Sequence, residues 1–350
     1  MLKFHLLVLV GLILNGCSHL AYYAQAIRGQ WDIISRMQPI TQVVTQSTTS
    51  PQLKQQLSDI LKIRTFATQV LHLPDNQSYI YYADLNRPYV VWTVFAAPKF
   101  SLQLKQWCFP VVGCVSYRGY FNSESAQALA QQLRTEGYDV YVAGVAAYST
   151  LGWFNDPVLN TMLSWPKAQI AGLIFHELAH QQLYIKNDTV FNESFASTVE
   201  AVGVEHWLAQ WGTPAEIIKY QQANQQHQAL VDLVLATRYQ LQQLYDQSGS
   251  PEQLTAAKIA TFNTLRTQYT DLKNKHWLGY RGYDDWFAQD LNNAKLLSVA
   301  TYQDFVPAFQ LLLAQQQGNL SQFYQQVAQL GQLPIEQRQT YLRQLMTTTQ

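Results

Sequence analysis

Apolar and polar positions along this chain follow two periods, and the change from one to the other divides it. From residue 18 to 75 apolar side chains recur at helical spacing. The polar run TQSTTSPQ, around Ser47 to Gln52, interrupts them, and Pro51 is placed to open the next helix. Tyr79–Ala83 and Tyr89–Ala97 are instead rich in β-branched and aromatic residues, and Asp84–Pro88 separates them as a hairpin-like turn. A third strand is predicted near Val115–Tyr120, then a helix from Ser123 to Glu136 that Gly137 ends, then a strand over Asp139–Ala147. After the turn-forming GWFNDP, the apolar AQIAGLIF opens a helix with Pro166 in its first turn. Lys186–Thr189 breaks it, and a second helix begins around Val190 to Asn192. Beyond Thr213 the pattern is almost wholly helical, with breaks at Ser248–Pro251, Gly279–Gly282, Gly318 and Pro334. No fixed-period repeat is present. These elements predict an α+β fold: a small mixed β-sheet over about residues 79–147, packed against a predominantly helical half.

Composition narrows the classes. The chain of 350 residues carries 23 basic and 23 acidic groups, so it offers no basic face to nucleic acid. At 48% apolar, with 21 Tyr, 15 Phe and 9 Trp, it can fill a large core and is not a disordered chain. No stretch approaches the eighteen or so apolar residues of a membrane-spanning helix.

The chemistry concentrates between His176 and Glu200, HELAHQQLYIKNDTVFNESFASTVE. Residues four apart in a helix share a face, so His176 and His180 can offer imidazole nitrogens to one ion. Glu177 is offset around that helix, towards the water such an ion activates. Glu193, in the first turn of the next helix, can supply a third ligand, completing a two-histidine, one-glutamate set that suits catalytic Zn2+. Glu200 lies two turns further on the same face and can accept the outer N–H of a ligating histidine. Ala196, between them, lets the two helices approach closely. With Zn2+ activating water for attack on a carbonyl, Glu177 takes the water proton and passes it to the leaving amine. A developing oxyanion needs one further donor. Tyr148 and Tyr283 are the leading candidates, with Tyr280 and Arg281 beside the second. Asp156, Asp284 or Asp285 could bind a substrate ammonium, although Asn155-Asp156-Pro157 is equally a strong turn.

HELAH followed by NESFA resembles the gluzincin metallopeptidases, in which NExxA on the next helix supplies the third zinc ligand. More closely, the chain resembles a bacterial family of predicted aminopeptidases with a lipoprotein signal. The matching stretches are Cys108–Phe121, Ala147–Leu159, His176–Gln181, Asn192–Glu200 and LNNAKL, Leu291–Leu296. The resemblance covers most of the mature chain. It implies a zincin-like architecture in which Ala143 to Ser149 borders the cleft and pairs with extended substrate. It also implies aminopeptidase specificity on a peptide substrate, with zinc endopeptidase as the nearest alternative. A non-catalytic envelope lipoprotein with a structural metal site is the remaining one.

Near the N-terminus, Lys3 precedes the apolar run Leu6–Leu14, which ends in Leu14-Asn15-Gly16-Cys17 and resembles a bacterial lipobox. Cleavage of the signal peptide, residues 1–16, would leave Cys17 to carry the lipid that anchors the protein to the membrane. Ser18 resembles sorting to the outer membrane, facing the periplasm. Two of the three cysteines then remain, Cys108 and Cys114, and in an oxidising compartment they are expected to close CFPVVGC as a disulfide. The predicted organisation is an N-terminal helical region over 17–75 and a catalytic domain over 76–350 with a helical C-terminal extension.

Overall fold

The computed structural model describes residues 22–109, 113–150, 152–299 and 304–347. The apolar run Leu6–Leu14 and Cys17 therefore lie outside the described residues, as does the tip of the loop between Cys108 and Cys114. Helix α1 covers residues 22–36. A short α2, Ile40–Val43, leads to α3, Pro51–Gln69, where Ser50 caps the N-terminus by accepting from the Leu53 N–H. The break read at Ser47 to Gln52 is thus a helix start with its own cap.

The β residues form three small sheets, not one. Strands β3 (Val91–Pro98), β6 (Arg118–Tyr120) and β7 (Tyr138–Val145) make an antiparallel sheet in the order β6-β3-β7. A second sheet has β2 (Tyr81–Ala83) between β1 (Gln38–Pro39) and β8 (Val158–Leu159), antiparallel to the first and parallel to the second. The hairpin expected between the segments at Tyr79 and Tyr89 does not form. Asn160 explains why: its Oδ1 accepts from the Leu85 N–H at 2.9 Å and its Nδ2 donates to the Arg87 carbonyl at 3.2 Å. That side chain pins the connecting loop away from a tight turn, so β2 pairs with β8 instead. The strand expected over Val115–Tyr120 is also divided. Its first part, β5 (Gly113–Val115), pairs with β4 (Trp107–Phe109), placing Cys108 opposite Cys114, and the two are joined as a disulfide.

Helix α4, Ser123–Thr135, is capped by Asn122 and packs Ala126, Ala130 and Leu133 on Val94, Ala96 and Val140 of the antiparallel sheet. The largest core gathers α3, α5 (Lys167–Gln182), α6 (Thr189–Trp211) and two C-terminal helices, Val306–Gln315 and Leu320–Gly331. Phe66, Ile174, Phe175, Phe195, Phe309 and Phe323 meet there, all buried. Helices α7 (Pro214–Tyr245) and α8 (Pro251–Lys275) form an antiparallel pair with a separate core around Leu241, Phe262 and Leu265. Both begin with a capping box and a proline in the first turn. The LNNAKL stretch ties this pair to the sheet. Asn293, fully buried, donates from its side chain to the carbonyls of Pro98, Lys99 and Ser101, and from its backbone N–H to Asp139. Asp139 also pairs with Lys258 of α8. Among the described residues no helix is long and apolar enough to cross a membrane.

Candidate metal centre

Two glycines let the helices that carry the candidate ligands come together. A Cβ at Gly172 of α5 would stand 2.9 Å from Glu200 Oε1, and one at Gly203 of α6 would stand 2.7 Å from the Phe175 ring. With Ala196 fully buried in the same interface, α5 and α6 pack closely enough for side chains to bridge them. The connection between them is held by side chains rather than by length. Asn192 accepts from the Ile185 N–H and donates to the Ile185 carbonyl, both at 2.8 Å. Asp188 caps α6 by accepting from the Phe191 N–H, and its other oxygen takes a 2.7 Å bond from buried Arg338. Asn187 adopts φ 65° to make the turn, a conformation asparagine tolerates better than most residues. Asn192 is thus the residue that delivers its neighbour Glu193 to the site. Its role was not assigned from the sequence, although its place beside the glutamate in NESFA was the available signal.

His176 Nε2 lies 3.3 Å from Glu193 Oε2, and His180 Nε2 lies 3.5 Å from Glu193 Oε1. One ligand atom from each of the three residues falls within 4.8 Å of the others, a group that can hold a metal ion. On its far side His176 Nδ1 bonds Glu200 Oε2 at 3.0 Å, which keeps the Nδ1 proton in place and leaves Nε2 turned towards Glu193. His180 is buried, and among the described residues its Nδ1 has no hydrogen-bond partner.

The electrostatics ask for a cation. Burial on its own would lower His176, yet hydrogen bonds to Glu193 and Glu200 raise it to about 10. Burial likewise opposes ionisation of Glu193, but both imidazoles hold its carboxyl at about 2. Among the described residues no lysine or arginine pairs with Glu177, Glu193 or Glu200. Three carboxylates therefore surround two imidazoles, and among the described residues the imidazoles are their ion-pair partners. Two imidazole nitrogens and a carboxylate oxygen are a donor set that fits zinc.

Glu177 is raised above the ordinary carboxyl range chiefly by burial, against the pull of His176 and His180. Ser149, in the loop that follows β7, is a neighbour that acts on it through a hydrogen bond. Tyr79, buried and held at φ 65°, bonds the same serine and lies within the electrostatic reach of Glu177. The family resemblance puts Ser149 at the end of a segment bordering the cleft, but gives neither Ser149 nor Tyr79 a role of its own.

The two tyrosines expected as oxyanion donors each have protein partners. Tyr148 bonds Gln30 through its hydroxyl and stacks edge-on with Phe121, in a cluster with Ile33, Val90 and Leu159. Tyr283 packs against Trp277 and Tyr280 in the α7–α8 core. Asp156 is a turn residue: it is 4% exposed and accepts from the Thr150 N–H, the Thr150 hydroxyl and Ser149. Asp284 is taken up by Lys273, Tyr269 and Arg281.

Two histidines and a glutamate gathered on adjacent helices thus form a group that could hold a metal ion, with a further carboxylate beside them. Residues 21–342 match the family described as "Putative aminopeptidase", and the chain belongs to that family. No curated protein and no solved structure matches it.

Proposed function

We propose that this protein is a zinc-dependent aminopeptidase of gluzincin type, tethered to the envelope membrane through lipid on Cys17. The observation that carries the reading is the convergence of His176, His180 and Glu193 within 4.8 Å. These three side chains would hold the ion. When bound, zinc polarises a substrate carbonyl and makes water a nucleophile near neutral pH. The chain's own residues do the rest. Glu193 and the two Nε2 atoms define where the ion sits, and Glu200 orients the His176 ring through Nδ1. Glu177 takes the proton of the attacking water on a carboxylate oxygen and returns it to the departing amine nitrogen. Burial raises its pKa above the ordinary carboxylate range, which makes it a better proton acceptor. The β7 strand is at an edge of its sheet, and its continuation reaches Glu177 through Ser149. That arrangement supports the zincin-like reading, in which this strand flanks the substrate.

One observation favours zinc endopeptidase as a second reading. Asp156 and Asp284, two of the three carboxylates expected to hold a substrate ammonium, are already engaged with protein donors. The decisive experiment is metal analysis joined to hydrolysis of one peptide in free and acetyl-blocked forms. We expect one zinc per chain, cleavage of the free peptide and loss of cleavage on blocking. Equal cleavage of both forms identifies an endopeptidase. Glu177→Gln should keep the zinc and lose about 10²- to 10⁴-fold in turnover. A protein that binds zinc and whose wild-type form cleaves nothing across a broad peptide panel is a structural metal site instead. Lipidation is tested by labelled fatty-acid incorporation, which Cys17→Ser should abolish. Ser18 further suggests the outer membrane, facing the periplasm.

A further inference from the structure

Three large aromatic side chains stand in water at the end of α5 that bears His180. Trp153 is 80% exposed, Phe154 50% and Tyr184 48%. The rows of α5 explain their placement. Residues four apart lie on one face of a helix, so Gln181 follows Glu177 on one row. On the neighbouring row Tyr184 follows His180, just beyond the helix end, and its ring meets the His180 ring edge-on with centroids 6.2 Å apart. Gly152 rests on Gln181: a Cβ there would stand 3.5 Å from Gln181 Cγ, an ordinary contact. Trp153 and Phe154 directly follow that glycine. The turn that bears them therefore borders α5 one residue from His180, on the side away from Tyr184.

That turn is held in shape. The Trp153 N–H donates to the Thr150 carbonyl at 3.1 Å, and the Phe154 N–H donates to the Thr150 hydroxyl at 3.0 Å. Gly152 takes φ 82°, which closes the turn. Asn155 donates from its side chain to Gln77 Oε1, and Asn76 donates to Gln181 Oε1 at 2.6 Å, fixing the glutamine beneath. Rings presented on a fixed turn lose little freedom when they meet a ligand. The segment Tyr148–Asn155 has no charged residue, and Asp156 beyond it is 4% exposed and taken by the Thr150 N–H. A charged side chain laid there finds no partner, whereas an apolar one leaves water against aromatic surface.

We propose that Trp153, Phe154 and Tyr184 form an apolar subsite beside the metal centre, and that the substrate is a peptide with a large apolar or aromatic residue next to the bond that is cut. The inference rests on the proposed metallopeptidase reading and names its substrate class. The occupant follows from continuity with the site. The aromatic surface begins at His180, so a peptide whose carbonyl stands at His176, His180 and Glu193 lays an adjoining side chain upon it.

The test uses the full-length zinc-loaded protein and a peptide that the wild type cleaves, remade with Phe, Ala or Lys on either side of the scissile bond. Phe at one of these places should give kcat/KM about tenfold or more above Ala or Lys at the same place. In Trp153→Ala and in Tyr184→Ala the Phe-to-Ala ratio should fall towards one, with zinc content and Tm kept. Trp153→Phe and Tyr184→Phe, which retain a ring, should keep the ratio. The proposal is overturned by a wild type that prefers Ala or Lys at both places, by alanine variants that keep the wild-type ratio, or by phenylalanine variants that lose it. Calorimetry with phenylalaninamide and alaninamide gives a readout that needs no turnover. If the wild type hydrolyses nothing, the peptidase reading fails, and binding of phenylalaninamide that Trp153→Ala weakens about tenfold still supports the subsite. Equal binding of the two amides, or binding of neither, overturns it.

Discussion

Two clusters of buried polar groups brace this protein, one at the α5–α6 interface and one where LNNAKL meets the antiparallel sheet. They are put together differently. In the second cluster nearly every donor has a protein acceptor. Asn293 alone makes four bonds to β3, β7 and the loop between them, Asn292 reaches the Val140 carbonyl, and Lys258 faces Asp139. Positive charge is built in. In the first cluster Glu177, Glu193 and Glu200 surround His176 and His180, among the described residues no lysine or arginine joins them, and His180 Nδ1 stays unpaired. A polar network closed upon itself holds a fold together, whereas one that converges on a point with an uncompensated charge is prepared for a ligand. The difference separates a brace from a site before any reaction is named.

The comparison can be broken most severely at the triad. His176→Ala or Glu193→Ala should abolish retention of zinc through desalting, with turnover falling by about 10³-fold or more, while the far-UV CD spectrum is kept. A fold that collapses on either change would make this cluster a brace too. The reverse experiment is Asp139→Ala. It strands Lys258, whose side chain is 8% exposed, and should cost about 3 kcal/mol in chemical denaturation. Zinc content per folded molecule should stay at the wild-type value.

Smaller changes sharpen the contrast. Glu200→Ala removes the acceptor of His176 Nδ1–H and should weaken zinc affinity about 10- to 100-fold in competition with a chelating dye. In the brace, Lys295 is the member without a bonded carboxylate. It is fully buried and donates to the Trp286 carbonyl and to Gln289 Oε1. Burial lowers it to about 8, so the unfolded chain, with a lysine near 10.4, keeps its proton to higher pH. The unfolded state then binds more protons than the native state across that window, and stability contributed by this group rises as pH goes from about 8 to about 10. Lys295→Met should flatten that rise in urea midpoints measured across the window. A wild-type midpoint that falls over the same range would contradict the assignment.

Much of the site was legible because its parts are close in sequence. His176, Glu177 and His180 belong to one helix, and Glu193 and Glu200 to the next, so helical spacing places them without knowledge of the whole fold. The expected breaks at Lys186–Thr189, Ser248–Pro251, Gly318 and Pro334 are all helix boundaries, since proline, asparagine and capping residues act within a few positions. Strand pairing was less legible. Nothing near Tyr81 announces that its strand will meet Val158, because the deciding contact is the side chain of Asn160, some 75 residues away from Leu85. The ring contacts of Tyr148 with Phe121 and of Tyr283 with Trp277 are likewise set by the tertiary packing and not by the residues around them in sequence.

The amino-acid order alone thus determined which residues could bind an ion, because an α-helix repeats every 3.6 residues whatever surrounds it. Only the packed molecule decided what stands beside Glu177. Ser149 and Tyr79 arrive from separate loops, 28 and 98 positions away, and a contact across that distance is set by which surfaces bury one another and leaves no mark in the local pattern.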